Sequence, residues 1–463
     1  MDSLSNKKFD DVLLDVINHR LGIVVKASQL PDLHKIVEET CKKLNISKKD
    51  YLTTLHKADS NSPLIKSLVN SITIGETYFF RDEKQMQLLN QTILPKIIEK
   101  KRLQQQLSLR IWSAGCASGE ELYSIIMMLN EMLPDIADWR LHLLGTDINA
   151  QVLQKALNGQ YSEWSMRAIS DYYKEKYLTH ESQSYCLAKK IIAQAQFNYL
   201  NLNDNTYPSM INGTNALDLI LCRNVLIYFD AQHTQEIMKK FSSSLVEEGY
   251  LLLGASDPVV IDDTNLMLQV EHGKLLCRRS ATSAPANKVI NKVYSNDPAQ
   301  PIPTIAPKRT VAPAIFIPKV DDKPDALLAK AEALANQGLL SEAAKCCEQG
   351  LRVDPINLTT YFTYAMVLVG LNEVDKAEAA LRKTLFLDRD FVLGHYQLGL
   401  MLIRKKDLIG GLKSLQNAYA ITEKKDATIP VPGYENLTYG KLTDILQEEI
   451  QLREVGSDAH ETE

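Results

Sequence analysis

The chain is 463 residues long, well beyond the roughly 100–200 of one domain, so two or three folded units are expected. Its 45% hydrophobic and 24% charged residues are those of an ordinary globular protein, and a formal net charge of −5 gives no reason to expect nucleic acid or an anionic membrane surface as main partner. The opening MDSLSNKKFDD lacks the apolar core of a secretory signal, no apolar run of about 18 residues occurs, and seven scattered cysteines without a CxxC pair suit reduced thiols, so a cytoplasmic protein is expected.

In chain order, residues 1–72 read as a small helical domain. Phe9, Val12, Leu13, Val16 and Ile17 step at helical intervals, as do Leu64, Ile65, Leu68 and Val69. Over 73–280 the pattern becomes short apolar runs (LSLRIWSA, WRLHLLGTD, ALDLILC, GYLLLGAS) alternating with helix-length amphipathic segments. That alternation predicts an α/β unit, a mostly parallel sheet covered on both faces. Seven prolines between Pro285 and Pro318 mark 281–320 as an extended, flexible linker. Beyond it a period of 34 superposes Ala331, Ala365 and Gly399; Leu334, Leu368 and Leu402; and Ala343, Ala377 and Gly411. Small residues recurring where the two helices of a hairpin cross resemble the tetratricopeptide repeat, so an all-α domain of three repeats is expected over 321–425. Residues 426–463 read as a capping helix (437–454) and a disordered polar tail. A linker of about 40 residues, at roughly 5–6 Å × √n, predicts repeats some 30–40 Å from the sheet domain.

Arg110 to Glu121 reads as a strand, a small-residue turn and a helix start. A dinucleotide turn would show G-x-G-x-x-G; here Gly115 and Gly119 are spaced G-x-x-x-G, and Glu120 and Glu121 follow at once. Two carboxylates would repel a diphosphate and attract a cation such as the sulfonium and ammonium of S-adenosylmethionine. They equally suit a plain helix N-terminus. The next strand ends in Gly145-Thr146-Asp147, where nucleoside-binding sheets grip ribose hydroxyls; Asp147 would also serve as N-cap of a helix at Ala150.

Five segments in order, IGETYFFRD, IWSAGCASGEELYS, LLGTDIN, FNYLNLND and LCRNVLIYFD, resemble the chemotaxis-receptor (CheR-type) glutamate methyltransferases over roughly residues 8–280. The resemblance implies a class I methyltransferase doubly wound sheet, a helical N-terminal domain and a small β-subdomain insert at about 160–196. It implies S-adenosylmethionine as cofactor, S-adenosylhomocysteine as product, and no metal. Carried over by position, Gly75, Thr77 and Arg81 would contact the cofactor, although Gly75 stands where many members have asparagine. Glu120 or Glu121 would lie by its positive end, Asp147 on the ribose, Asn201 and Leu202 near the adenine, and Arg223 and Asn224 would close the pocket. Arg81 and Tyr228 would flank the reacting carboxylate as catalytic residues. GASDP (254–258) departs from the histidine-bearing form usual in the family.

A glutamate side chain, with a reference pKa of about 4.3, is already ionised near neutrality, so the chemistry needs orientation more than a base. The implied substrate is the cytoplasmic domain of a methyl-accepting receptor, with a further, unidentified protein recruited by the repeats. A different reading makes the chain a non-catalytic, cofactor-sensing scaffold that works through its repeats. Taken singly, Arg81 also fits a surface ion pair with Asp82, and Tyr228-Phe229 a pair of core aromatics.

Overall fold

The computed structural model describes residues 2–57, 62–73, 75–181, 183–271, 274–280 and 323–458. The proline-rich segment 281–320 lies outside them. Four helices come first: α1 (Asp2–Leu21), α2 (Leu30–Leu44), α3 (Lys48–Lys57) and α4 (Pro63–Ile72). They close on a core of Leu13, Ile17, Leu33, Val37, Tyr51, Leu55 and Leu68. Helix α4 starts where Ser62 accepts the Ile65 N–H, with Pro63 at the first position, where its missing donor costs nothing.

Helices α5 (Glu83–Leu88) and α6 (Leu94–Leu103) lead to strand β1 (Ser108–Ala114), α7 (Glu120–Met132), β2 (Arg140–Asp147) and α8 (Ala150–Asn158). An insert of β3 (Gln160–Tyr161), α9 (Asp171–Tyr177), β4 (Leu178–Glu181), β5 (Ser184–Leu187) and α10 (Lys189–Ile192) forms its own three-stranded sheet, ordered β3-β5-β4. The main chain resumes with β6 (Ala195–Tyr199), β7 (Leu217–Cys222), α11 (Ala231–Ser244), β8 (Leu245–Leu253), β9 (Leu266–Glu271) and β10 (Lys274–Arg279). The seven-stranded sheet is ordered β6-β2-β1-β7-β8-β10-β9, parallel through β8, with β10 antiparallel to both neighbours.

Alternation along the strands splits the core in two. Ile111, Leu143, Leu219 and Leu221 face α7 and its Leu122, Ile125 and Leu129. Trp112, Leu144 and Ile220 face α11 and its Ile237, Met238 and Phe241. A strand buried on both faces therefore reads as a continuous apolar run, which is why β1, β2, β7 and β8 stand out in the sequence. Strand β6, at the sheet edge, buries only Phe197 fully and leaves no such run.

After the linker, α12 (Pro324–Asn336), α14 (Leu358–Gly370) and α16 (Val392–Arg404) each pair with the next helix, α13 (Leu340–Val353), α15 (Val374–Leu387) and α17 (Leu408–Thr422). First helices start at 324, 358 and 392 and second helices at 340, 374 and 408, all at intervals of 34. These are three tetratricopeptide-type hairpins. Gly399 and Gly411 sit where α16 crosses α17: a Cβ on Gly399 would lie 3.0 Å from the Gly411 carbonyl oxygen.

A hairpin of β11 (Pro430–Val431) and β12 (Tyr434–Thr438) leads to α18 (Tyr439–Asp458). The last helix runs four residues into the polar segment expected to be disordered, because extending a formed helix costs far less than nucleating one; residues 459–463 lie outside the described chain.

The repeats do not stand apart from the sheet domain as the linker arithmetic predicts. Gln397 donates to the Ile211 carbonyl at 2.6 Å, and Ile211 is buried among repeat residues. From α18, Leu452 enters the main core, Arg453 donates to the Phe197 carbonyl at 3.3 Å, and Glu448 pairs with Lys66 of α4 at 3.0 Å. Random-coil statistics give the mean span of a free linker and carry no information about attraction between the domains it joins.

Candidate functional site

A cleft open to solvent lies at the C-terminal ends of β1, β2 and β7, under the N-terminal helices. This is where an open α/β sheet binds ligands. Gly75, Thr77, Arg81, Glu121, Asp147, Asn201, Leu202, Arg223, Asn224 and Tyr228 all line it. Glu120 does not. Its buried carboxylate turns toward the insert, accepting from Ser118 Oγ at 2.7 Å and Ser165 Oγ at 3.0 Å. Successive helical residues point about 100° apart, so the turn that aims Glu121 into the cleft aims Glu120 away from it.

The turn after β1 is held from behind. Asp147 accepts the Ala117 N–H and, through its other oxygen, the Asn149 N–H, both at 2.9 Å. The N-cap of α8 is Asn149, whose side chain accepts from Gln151 and Val152, so Asp147 is not spent on capping. Burial raises the Asp147 pKa above its ordinary 3.8, opposed by its backbone hydrogen bonds. A carboxylate has about four acceptor sites, so capacity for hydroxyl donors remains.

Glu121 accepts from Ser113 Oγ at 2.7 Å and pairs with Arg223 Nη1 at 2.9 Å. Every nitrogen of the Arg223 guanidinium is engaged: its Nε donates to Gln85 Oε1 at 2.7 Å and its Nη2 to the Arg81 carbonyl at 2.5 Å. It ties β7, α7 and the 77–81 segment together. Gln85 also donates to the Leu253 carbonyl at 2.7 Å, and no sequence pattern marks it. Arg81 donates to the Glu76 carbonyl at 2.8 Å, while Asp82 caps α5 through the Gln85 N–H and approaches Lys274 at 3.8 Å. Tyr228 is half-buried. Burial raises its pKa, the Arg81 charge lowers it, and the Asp257 and Glu76 charges raise it.

Apolar Leu21, Ile23, Ile72, Ile148, Val152 and Phe229 complete the walls. A ligand with a flat apolar base, a vicinal diol and a positive centre fits this set of partners. Burial pushes the thiols of Cys116 and Cys222 well up, which leaves them protonated and poor nucleophiles. Among the described residues no cluster of three or more His, Cys, Asp or Glu is placed to hold a metal, and no helix is long and apolar enough to cross a membrane.

Residues 75–274 match the family model described as CheR methyltransferase, SAM binding domain. The chemotaxis protein methyltransferase of Borreliella burgdorferi is 39% identical over 212 residues, 45% of this chain and 73% of its own. The chain belongs to the CheR methyltransferase family. This enzyme is thus an S-adenosylmethionine-dependent methyltransferase. Its similarity to the probable biofilm formation methyltransferase WspC of Pseudomonas aeruginosa reaches further along the chain: 23% identity over 368 residues, 76% of this chain and 85% of that one. A solved structure described as the first TPR of Spaghetti (RPAP3) covers 30% of the chain and 97% of its own, at 18% identity and a TM-score of 0.24.

Proposed function

We propose that this methyltransferase esterifies glutamate side chains on the cytoplasmic domain of a signalling receptor, in the cytoplasm, and that its repeats engage a further protein of the same assembly. The observation that carries the reading is Arg81 and Tyr228 lining the same cleft as Glu121 and Asp147, a cation and a hydroxyl where a substrate carboxylate would meet a methyl donor.

S-adenosylmethionine, when bound, supplies an electrophilic sulfonium methyl. Asp147 would accept from the ribose hydroxyls, and Glu121 would set negative charge beside the cofactor's positive end. Asn201 and Leu202 would hold the adenine, with Gly75, Thr77, Arg223 and Asn224 completing the grip. Arg81 holds one oxygen of the incoming carboxylate through its planar fork, leaving the other free to attack. Tyr228, kept protonated by its surroundings, donates a hydrogen bond to the same group. Apolar Leu21 and Ile72 of the N-terminal helices lower the local dielectric beside these contacts and strengthen them. No general base is required, because the carboxylate arrives ionised. Holding the reacting atoms at near-attack distance is worth up to about 7–11 kcal/mol in favourable cases, and that is this site's main resource.

Likeness to the biofilm methyltransferase over most of both chains favours a receptor of a surface-attachment pathway over one of plain chemotaxis. The test is methyl transfer from labelled S-adenosylmethionine to the cytoplasmic fragments of candidate receptors from the same cell. Base-labile methyl esters on glutamate are expected. Label that survives mild base, or sits on nitrogen, overturns the substrate class.

A further inference from the structure

Asp257 lies outside the cleft lining, on the loop after β8, and the residue is 6% exposed. One oxygen accepts the Asn224 N–H at 2.5 Å and the Gly254 N–H at 2.8 Å; the other accepts the Val225 N–H at 3.0 Å and the Ile227 N–H at 3.3 Å. Four backbone donors, three of them from one turn, converge on a single side chain. Burial raises its pKa, and these hydrogen bonds lower it. The negative charge is therefore balanced by N–H dipoles, as an anion is in a backbone nest.

That turn joins β7 to the cleft. Asn224 sits in the left-handed region at φ 59°, which a non-glycine residue adopts only where its surroundings impose it. Asn224, Val225 and Tyr228 all line the cleft. The approach from β8 is equally constrained, since a Cβ on Gly254 would stand 2.7 Å from both the Asn224 nitrogen and Asp257 Oδ2.

We propose that Asp257 is a positioning residue for methyl transfer: by gathering the N–H groups of residues 224, 225 and 227 it fixes the turn that presents Tyr228 to the substrate carboxylate. The inference rests on the role proposed for Tyr228. The cofactor is gripped mainly from other elements, by Asp147 at the end of β2 and Glu121 on α7, with Asn224 as this turn's own contact, so a relaxed turn harms transfer more than cofactor binding.

The full chain is assayed as Asp257→Asn, Tyr228→Phe, the double variant and Asp257→Glu. In Asp257→Asn the amide turns a donor toward two N–H groups that need an acceptor. Turnover at saturating substrate should fall about 30-fold, with S-adenosylmethionine affinity within about threefold of the parent. The double variant should be little slower than Tyr228→Phe alone, because both changes remove one contribution. Asp257→Glu, which keeps the carboxylate, should recover part of the loss, and it carries the same comparison should Asp257→Asn not fold. Parent-rate turnover in Asp257→Asn beside an impaired Tyr228→Phe overturns the assignment of Asp257 alone. So do losses that multiply in the double variant, or equal loss of binding, turnover and melting temperature. Parent-rate turnover in Tyr228→Phe overturns the reading of Tyr228 itself.

Discussion

Replacing Asp147 by Asn tests the cofactor site where its geometry is most constrained. The carboxylate is held between the Ala117 and Asn149 N–H groups, both at 2.9 Å, so the oxygen offered to a ligand is fixed in place before the ligand arrives. An amide at 147 is nearly isosteric, but one of its ends is a donor, and a ribose hydroxyl facing that end loses its acceptor. Leaving such a partner unsatisfied in a buried site costs about 1–3 kcal/mol, which is about 5- to 150-fold in Kd. Two effects on stability oppose each other: the amide turns a donor toward one of the two backbone N–H groups, which costs stability at every pH, and it removes a buried charge, which gains stability only where the parent is ionised. Burial raises the Asp147 pKa above 3.8 in the folded chain, so there the native state holds its proton more tightly than the unfolded state does. Stability contributed by the protonated form is lost as pH rises from 3.8 through the raised value, and at neutral pH the ionised group burdens the fold. The melting temperature of the cofactor-free variant should thus rise relative to the parent's between about pH 4 and pH 7. Calorimetric titration with S-adenosylmethionine, beside melting curves of the unliganded enzyme at those two pH values, reads both effects. Unchanged affinity would remove Asp147 from the ribose site, and a melting difference that stays the same at both pH values would show that burying the Asp147 charge costs the fold nothing.

Glu121→Gln should weaken S-adenosylmethionine more than S-adenosylhomocysteine, which has no sulfonium charge; equal losses in paired titrations would show that Glu121 does not sense that charge. Because Arg223 has a side chain only 2% exposed, Glu121→Ala should also destabilise the sheet domain by about 3–5 kcal/mol, read as an earlier denaturation onset. Tyr228→Phe should keep cofactor affinity and lose turnover, whereas Arg81→Ala should lose both; a Tyr228→Phe enzyme working at the parent rate would disprove its place at the reaction centre. An enzyme ended at residue 280 should still bind S-adenosylmethionine, since every residue lining the cleft precedes that point. It should denature earlier than the full chain, because the Ile211 carbonyl loses Gln397 and the Phe197 carbonyl loses Arg453; equal denaturation profiles would show that the docked repeats add nothing to stability.

What the sequence discloses and what it hides divide along physical lines. Buried strands such as β1 and β7 and the 34-residue hairpins announce themselves, because burial on both faces and repeated helix crossings leave periodic apolar patterns. The cleft was legible where short ordered motifs carry several of its residues at once, as Arg223, Asn224 and Tyr228 lie within LCRNVLIYFD. The orientation of adjacent carboxylates was not, since Glu120 and Glu121 differ only in the direction a helical turn gives them. Gln85 and Asp257 were hidden for another reason: their partners are backbone groups far along the chain, the Leu253 carbonyl for one and the N–H groups of 224, 225 and 227 for the other. Backbone donors and acceptors occur at nearly every residue, so their use by a distant side chain leaves no signature in composition or spacing. The docking of the repeats belongs to the same class. Gln397 reaches the Ile211 carbonyl and Arg453 the Phe197 carbonyl, contacts that any polar residue on a helix face would advertise equally. Phe197 joins that docking surface to the site: a Cβ on Gly119 would meet its ring at 2.9 Å and one on Gly145 at 2.6 Å. The α18 helix therefore bears on the same strand, β6, whose Phe197 ring packs against Gly119 of the turn after β1 and Gly145 of β2, so the C-terminal helix braces the cleft from behind while contributing no residue to its lining.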